Sequence, residues 1–233
     1  MKELLENIYI VEGIGSANVF LLKDDDRFTL IDTGIFKMTD KLISMLEDNG
    51  FPIANLKTII LTHCHCDHIG GTAELVKYSG AKVAAQVDDI PYILQEQVIQ
   101  GPYHGMMLEE QKYMKQFDCV IKKVDIPLKD GDVLDICEGL QIIQVPGHTP
   151  GSIALYESKR KIMFFGDVIR NNAKKGITIG RPEKFNYNTS QTIFDAAKLI
   201  ELPIEYALFG HGDPIIERVH ELLSKQLAKI TGS

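Results

Sequence analysis

The apolar run Thr58-Ile59-Ile60-Leu61 leads straight into Thr62-His63-Cys64-His65-Cys66-Asp67-His68-Ile69-Gly70-Gly71, and this junction constrains the chain more than any other stretch. A short, continuous, β-branched run of this kind predicts a buried strand. On a chain leaving a strand, alternate side chains point the same way. His63, His65 and Asp67 are therefore expected to face one pocket, with Cys64 and Cys66 turned to the other side as packing residues. His68 lies one step further, beside Asp67, and can serve a second centre. Gly70-Gly71 lets backbone pass close to whatever these residues hold. A polar loop with hydrogen-bonded histidines is the plain alternative, but three imidazoles and a carboxylate at this spacing have few structural uses. Neutral imidazoles with an ionised carboxylate suit a divalent metal.

Size and composition narrow the classes. At 233 residues the chain holds one large domain with a sizeable core, so it needs neither disulfides nor oligomerisation to fold. Its 45% hydrophobic and 24% charged residues are those of a globular enzyme. A formal net charge of -7 argues against a nucleic-acid partner, which would show a basic stripe. Cys64, Cys66, Cys119 and Cys137 form no CxxC pair and no disulfide framework, which points to a reducing cytoplasm. The start of the chain, Met1 to Glu6, carries acids and does not read as a signal peptide. No stretch reaches the roughly 20 apolar residues needed to span a bilayer. The expected partner is a small-molecule substrate; the sequence leaves the oligomeric state open.

Taken in order, Ile8–Val11, Asn18–Leu22 and Phe28–Ile31 read as strands, the third ending in Asp32-Thr33-Gly34. Asp32 is expected to hold a ligand rather than a metal. A helix is expected over Lys37–Asn49, another from Ile69 to Tyr78, and a strand at Lys82–Ala85. Two helical pieces, Asp88–Gln97 and Leu108–Phe117, flank a loop at Gln100–Met107 and make residues 87–118 a lid-like insert or a helical pair packed on the core. Strands follow at Val133–Ile136 and Leu140–Val145, then the tight loop Pro146-Gly147-His148-Thr149-Pro150-Gly151. The hairpin Ile153–Tyr156 with Lys161–Phe165 ends in Gly166-Asp167. Asn171 to Asn188 reads as a polar loop, Gln191–Ile200 as a helix, and Tyr206–Phe209 as a last strand delivering Gly210-His211-Gly212. A closing helix is expected from about Pro214 to Ile230, with His220 on its surface.

Four strand ends thus carry metal-type side chains beside glycine, and they hold five of the seven histidines. The set His63-x-His65-x-Asp67-His68, with His148 in Pro-Gly-His-Thr-Pro-Gly, Asp167 in Phe-Gly-Asp and His211 in Gly-His-Gly, resembles the metallo-β-lactamase-fold hydrolases. The resemblance implies an α/β fold, a four-layer αββα sandwich of two mixed sheets flanked by helices, with a site along one edge. It also implies two divalent metal ions. His63, His65 and His148 would hold one, Asp67, His68 and His211 the other, and Asp167 would bridge them. Zinc is the default for such nitrogen and oxygen donors; iron or manganese fits the same residues. Asp67 would in addition act in catalysis, orienting the nucleophile or passing its proton to the leaving group.

Within that family, flavin-partnered di-iron enzymes have Glu at the position of His65, and exported dizinc β-lactamases have Cys at that of Asp167. The family's RNA-processing nucleases carry basic additions absent from this acidic chain. Glyoxalase-II-like thioester hydrolases and lactonases remain, although only residues 213–233 follow His211, and Arg170 stands where the quorum-signal lactonases have Tyr. A thioester or lactone is the expected substrate; phosphodiester cleavage and iron-dependent oxygenation are the alternatives. Tyr103, His104, Arg170, Arg181 and Tyr187 are candidates to touch substrate.

Overall fold

The computed structural model describes residues 1–180 and 182–232. The chain divides into two compact units, one of residues Met1–Ile99 with His104–Leu128, the other of Gln100–Tyr103 with the chain from Lys129 onward.

Unit one is built on a seven-stranded sheet whose strands lie in chain order: β1 (Lys2–Leu5), β2 (Ile8–Val11), β3 (Val19–Asp24), β4 (Arg27–Ile31), β5 (Leu56–Leu61), β6 (Lys82–Gln86) and β7 (Ile126–Leu128). The first four run antiparallel and the last four, β4 to β7, parallel. Parallel neighbours need long crossovers, and helices supply them. They are α1 (Thr39–Asp48), the short α2 (Cys66–Ile69), α3 (Thr72–Ser79), α4 (Ile90–Ile93) and α5 (His104–Gln116). On α1, Leu42 and Leu46 are one turn apart and wholly buried, against a core that includes Leu30, Leu56, Ile59 and Ile60. Edge strand β7 contains Pro127, which lacks the N–H a central strand would need. The parallel register Ile31↔Ile60 places the ends of β4 and β5 side by side. Asp32 and Thr62 leave from those carboxyl ends, where ligand sites form in open α/β sheets.

Unit two has a mixed five-stranded sheet. In chain order its strands are β8 (Val133–Leu134), β9 (Leu140–Gln144), β10 (Ile153–Glu157), β11 (Ile162–Phe164) and β14 (Tyr206–Leu208), and in space they run β14-β11-β10-β9-β8. Only β11 and β14 are parallel. Between those two come the hairpin β12 (Ile169–Asn172) and β13 (Gly176–Ile179), then α6 (Thr189–Ile200); α7 (Val219–Thr231) closes the chain. The core here joins Val145, Met163, Phe165, Ile179, Leu199, Phe209 and Leu223. Phe165 and Phe209, one residue past β11 and β14, stack with centroids 5.5 Å apart.

Several expectations are corrected. Residues 169–179 form a hairpin instead of part of a polar loop; Asn172 Oδ1 accepts from the N–H groups of Lys174 and Lys175 and turns the chain at Gly176. The helix expected over residues 88–97 shrinks to the four residues of α4, while α5 begins at His104 rather than Leu108. The closing helix begins at Val219, because Ile215 pairs with Ala207 as a β-bridge and Arg218 takes a positive φ of 53°. The acidic first residues form edge strand β1, half of it exposed. The helix expected from Ile69 is two, α2 and α3, so Asp67 and His68 stand on a helical turn and not on an alternating extended segment.

Truncating Phe165 to Ala removes a wholly buried ring and its stacking partner's contact. The expected loss is about 3–5 kcal/mol of unfolding free energy, read from urea denaturation; a loss well under 1 kcal/mol would contradict the packing described.

Candidate metal centre

In unit one a buried carboxylate organises the histidine motif. Asp32 sits just past β4 with φ 59°, a left-handed conformation that Asp tolerates better than most residues with a side chain. Four hydrogen bonds fix it there. Its N–H donates to Ile60 O at 2.9 Å. Its Oδ1 accepts from Thr62 N at 2.8 Å, and its Oδ2 accepts from the Thr62 hydroxyl at 2.8 Å and pairs with His68 Nδ1 at 2.7 Å.

These bonds decide the histidine tautomers. An ionised carboxylate only accepts, so His68 Nδ1 carries the proton and donates it. The single hydroxyl proton of Thr62 goes to Asp32, so Thr62 Oγ1 must accept from His63 Nδ1, 3.0 Å away. In both rings the lone pair then lies on Nε2, the nitrogen turned away from these partners. His63 packs edge-on to His65 at 4.8 Å between centroids and lies 4.1 Å from His68. Ligand atoms of His63 and His65, of His63 and His68, and of Asp67 and His68 each come within 4.8 Å of one another. Three buried imidazoles and the half-exposed Asp67 are therefore gathered in this unit, and Ser16 donates to Asp67 Oδ2 at 3.4 Å.

Unit two gathers the other three. Asp167, just past the end of β11, has Oδ2 3.6 Å from His148 Nε2 and 3.3 Å from His211 Nε2. His148 Nδ1 donates to Asn186 Oδ1 at 3.0 Å, so this ring too presents Nε2. The His148 loop is held at close range. Its carbonyl accepts from the Tyr103 hydroxyl and from Tyr187 N, both at 2.9 Å. A Cβ at Gly147 would collide with the backbone of Thr192. Gly210 likewise lies against Asp167 Oδ1, so a side chain there would displace the carboxylate.

Asn186 and Thr62 were not singled out in the sequence. Thr62 adjoins the motif, so a search for donors flanking metal-type histidines would have raised it. Asn186 stands 38 residues from His148 and carries no local signal. Of the candidate substrate residues, Tyr103 is buried with its hydroxyl on His148 O, and His104 opens α5 with Nδ1 2.9 Å from Ile99 O. Arg170 pairs with Asp167 Oδ2 at 2.8 Å and lies over the Phe185 ring; Tyr187 is exposed. Arg181 lies outside the described residues. Burial, then the nearby Asp89 and Glu110 carboxylates, push the Cys64 thiol well above its usual range, and burial with Glu110 and Asp67 does the same to Cys66. Raised in this way, the two thiols disfavour the thiolate, and the motif's metal-type donors are its nitrogen and oxygen groups.

Such a donor set, with imidazole tautomers fixed by buried partners, suits a borderline divalent ion. The comparisons agree. The model of the metallo-beta-lactamase superfamily matches residues 13–211. The chain belongs to that superfamily of metal-dependent hydrolases. Among its relatives, the acyl-coenzyme A thioesterase MBLAC2 of Homo sapiens is 27% identical over 238 residues, covering 94% of this chain and 81% of the relative. The hydroxyacylglutathione hydrolase GloC of Haemophilus influenzae is 26% identical over 207 residues, with 84% and 85% covered. Among solved structures, the metallo-beta-lactamase family protein TTHA1429 from Thermus thermophilus matches with a TM-score of 0.76 at 21% identity, covering 99% of this chain and 81% of the other. These likenesses establish the α/β fold, mixed sheets flanked by helices, that the motifs implied.

Asn186→Ala leaves the buried His148 N–H without its acceptor. Metal affinity is expected to fall about 10–100-fold in a competitive chelator titration, with Asn186→Asp, which keeps an acceptor, close to wild type. Equal affinities in all three proteins would show that Asn186 does not set the ring.

Proposed function

We propose that the chain is a dinuclear metal-dependent hydrolase of an ester-like bond, a thioester or lactone. The two clusters together would form its site: His63, His65 and His148 around one ion, Asp67, His68 and His211 around the other, with Asp167 between. The observation that carries the metal reading is the set of buried Nδ1 bonds to Thr62, Asp32 and Asn186, which leave Nε2 as the coordinating nitrogen in three rings. Zinc suits these donors best. When bound, such a pair of ions lowers the pKa of a shared water from roughly 15.7 to about 7 and polarises the substrate carbonyl.

The protein's own groups do the rest. Asp67 is half-exposed beside His68, with Oδ1 3.9 Å from His68 Nε2; in this reading it would accept a hydrogen bond from the attacking water and return a proton to the departing thiol or alcohol. Asp167, its Oδ2 held by Arg170, keeps a fixed carboxylate between His148 and His211. Arg170 and Tyr187 are proposed to meet a polar or anionic part of the substrate. Tyr103 and His104 have backbone carbonyls as partners, which gives each a sufficient structural role. A thioester is favoured because a relative aligned over nearly the whole chain is named for acyl-coenzyme A thioester hydrolysis. A reducing cytoplasmic setting fits a chain with four cysteines and no disulfide among its described residues. No helix of the described residues is long and apolar enough to cross a membrane.

Elemental analysis of purified protein is expected to give two equivalents of zinc, and a panel of thioesters, lactones and phosphodiesters to show turnover of the first two. Asp67→Ala is expected to lower kcat by about 10²-fold or more. Two equivalents of iron with oxygen uptake and no hydrolysis would overturn the hydrolase; turnover of phosphodiesters alone would overturn the substrate class. Stripping the metal with a chelator is expected to lower the melting temperature, restored on adding zinc back; an unchanged melting temperature would contradict binding at a site formed only in the folded state.

A further inference from the structure

The turn α2 carries Asp67 and His68, and its two ends are tied in different ways. Its last residues are joined to the chain leaving β4. Thr33 N and the Thr33 hydroxyl donate to His68 O at 2.7 and 2.9 Å, and Gly34 bridges Ile69. The first residue, Cys66, has an N–H with no acceptor inside the turn, as at any helix start. His65, in the capping position, does not cap the turn with its side chain. The acceptor comes instead from another helix: Glu110 Oε2, on α5, receives the Cys66 N–H at 3.0 Å across 44 residues of sequence. Glu110 is half-buried. Beside it, Cys64, Cys66, Met107 and Met114 enclose a space of only about 10 Å³, enough for a single water and too small for a ligand. The carboxylate therefore serves the protein's own backbone.

We propose that Glu110 is a positioning residue for the second metal: by capping α2 from α5, it fixes the turn that aims Asp67 and His68. The inference rests on the metal-binding reading of those two side chains. The rise per helical residue is 1.5 Å, so a turn that unwinds by one residue moves both donors by more than coordination tolerates. His63 precedes the turn and draws its orientation from Thr62, and His65 is still extended backbone at the capping position, so Glu110 should matter less to them. The same contact makes α5 part of the site's support. Movement of residues 104–116 would then be felt first at Asp67 and His68, whatever else that helix does.

The test compares Glu110→Ala with Glu110→Gln, which keeps an oxygen acceptor. Zinc is titrated against a competing chelator, and amide hydrogen exchange is followed at residues 66–69 in metal-free and loaded protein. For Glu110→Ala, one of the two zinc equivalents should lose about 10–100-fold in affinity while the other is nearly unchanged, and the Cys66 amide should exchange faster in both forms. Glu110→Gln should restore most of both. Equal weakening of both metals in step with a lower melting temperature, or a Gln variant as impaired as Ala, would reduce Glu110 to ordinary packing and overturn the inference. Wild-type protein that loads two metals alongside an unaffected Ala variant would defeat this inference alone. Wild-type protein that takes up no metal would defeat the functional reading first, and this inference with it.

Discussion

The arrangement of the histidine motif in unit one depends on one buried carboxylate. Asp32 is 2% exposed, and a charge so placed is costly unless it is hydrogen-bonded on every side. Here it accepts three hydrogen bonds and holds a positive φ that its surroundings over-determine. The cost is offset twice. The backbone and hydroxyl of Thr62 lock the end of β5 to the end of β4, and the proton on His68 Nδ1 is committed. Through the Thr62 hydroxyl the same carboxylate reaches His63. A residue that coordinates nothing thus sets the direction in which two imidazoles can coordinate.

Unit two meets the same requirement with different parts. Asn186 takes the place of the carboxylate at His148, and Arg170 balances Asp167. A neutral amide suffices for one ring because Oδ1 can only accept. The amide's own donor end goes to Thr189 Oγ1 at the start of α6, so its orientation is set by the helix that follows. The glycines beside Asp167 and His148 are explained by contact rather than by flexibility. At Gly210 and Gly147 a methyl group would occupy space already held by a carboxylate or by helix backbone.

Much of this was legible in the residues. The motif from His63 to His68, the Pro-Gly-His-Thr-Pro-Gly loop and the Asp167 and His211 strand ends are dense in metal-type donors and glycine, and that density is a local property. Asp32 was legible as a carboxylate at a strand end, though its partners were not. Partners such as Asn186 and Glu110 act across 38 and 44 residues, from polar stretches of sequence where Asn and Glu are ordinary. The hairpin at 169–179 was hidden because Arg170, Asn171 and Asn172 are polar and its pairing is fixed by the Asn172 turn. Ile215 fits a helical apolar face as well as it fits the β-bridge to Ala207, so the local pattern alone extends the closing helix too far. In each case a contact that the local pattern does not reveal decided the outcome.

The central claim is that hydrogen bonding, before any metal arrives, fixes the protonated nitrogen of His63, His68 and His148. The most direct measurement is a long-range ¹H–¹⁵N correlation spectrum of metal-free protein labelled at histidine, recorded near pH 8. These three rings are expected in the Nδ1–H form, each with Nε2 carrying the lone pair. Finding any of the three in the Nε2–H form would contradict the hydrogen-bond assignments on which the site is built.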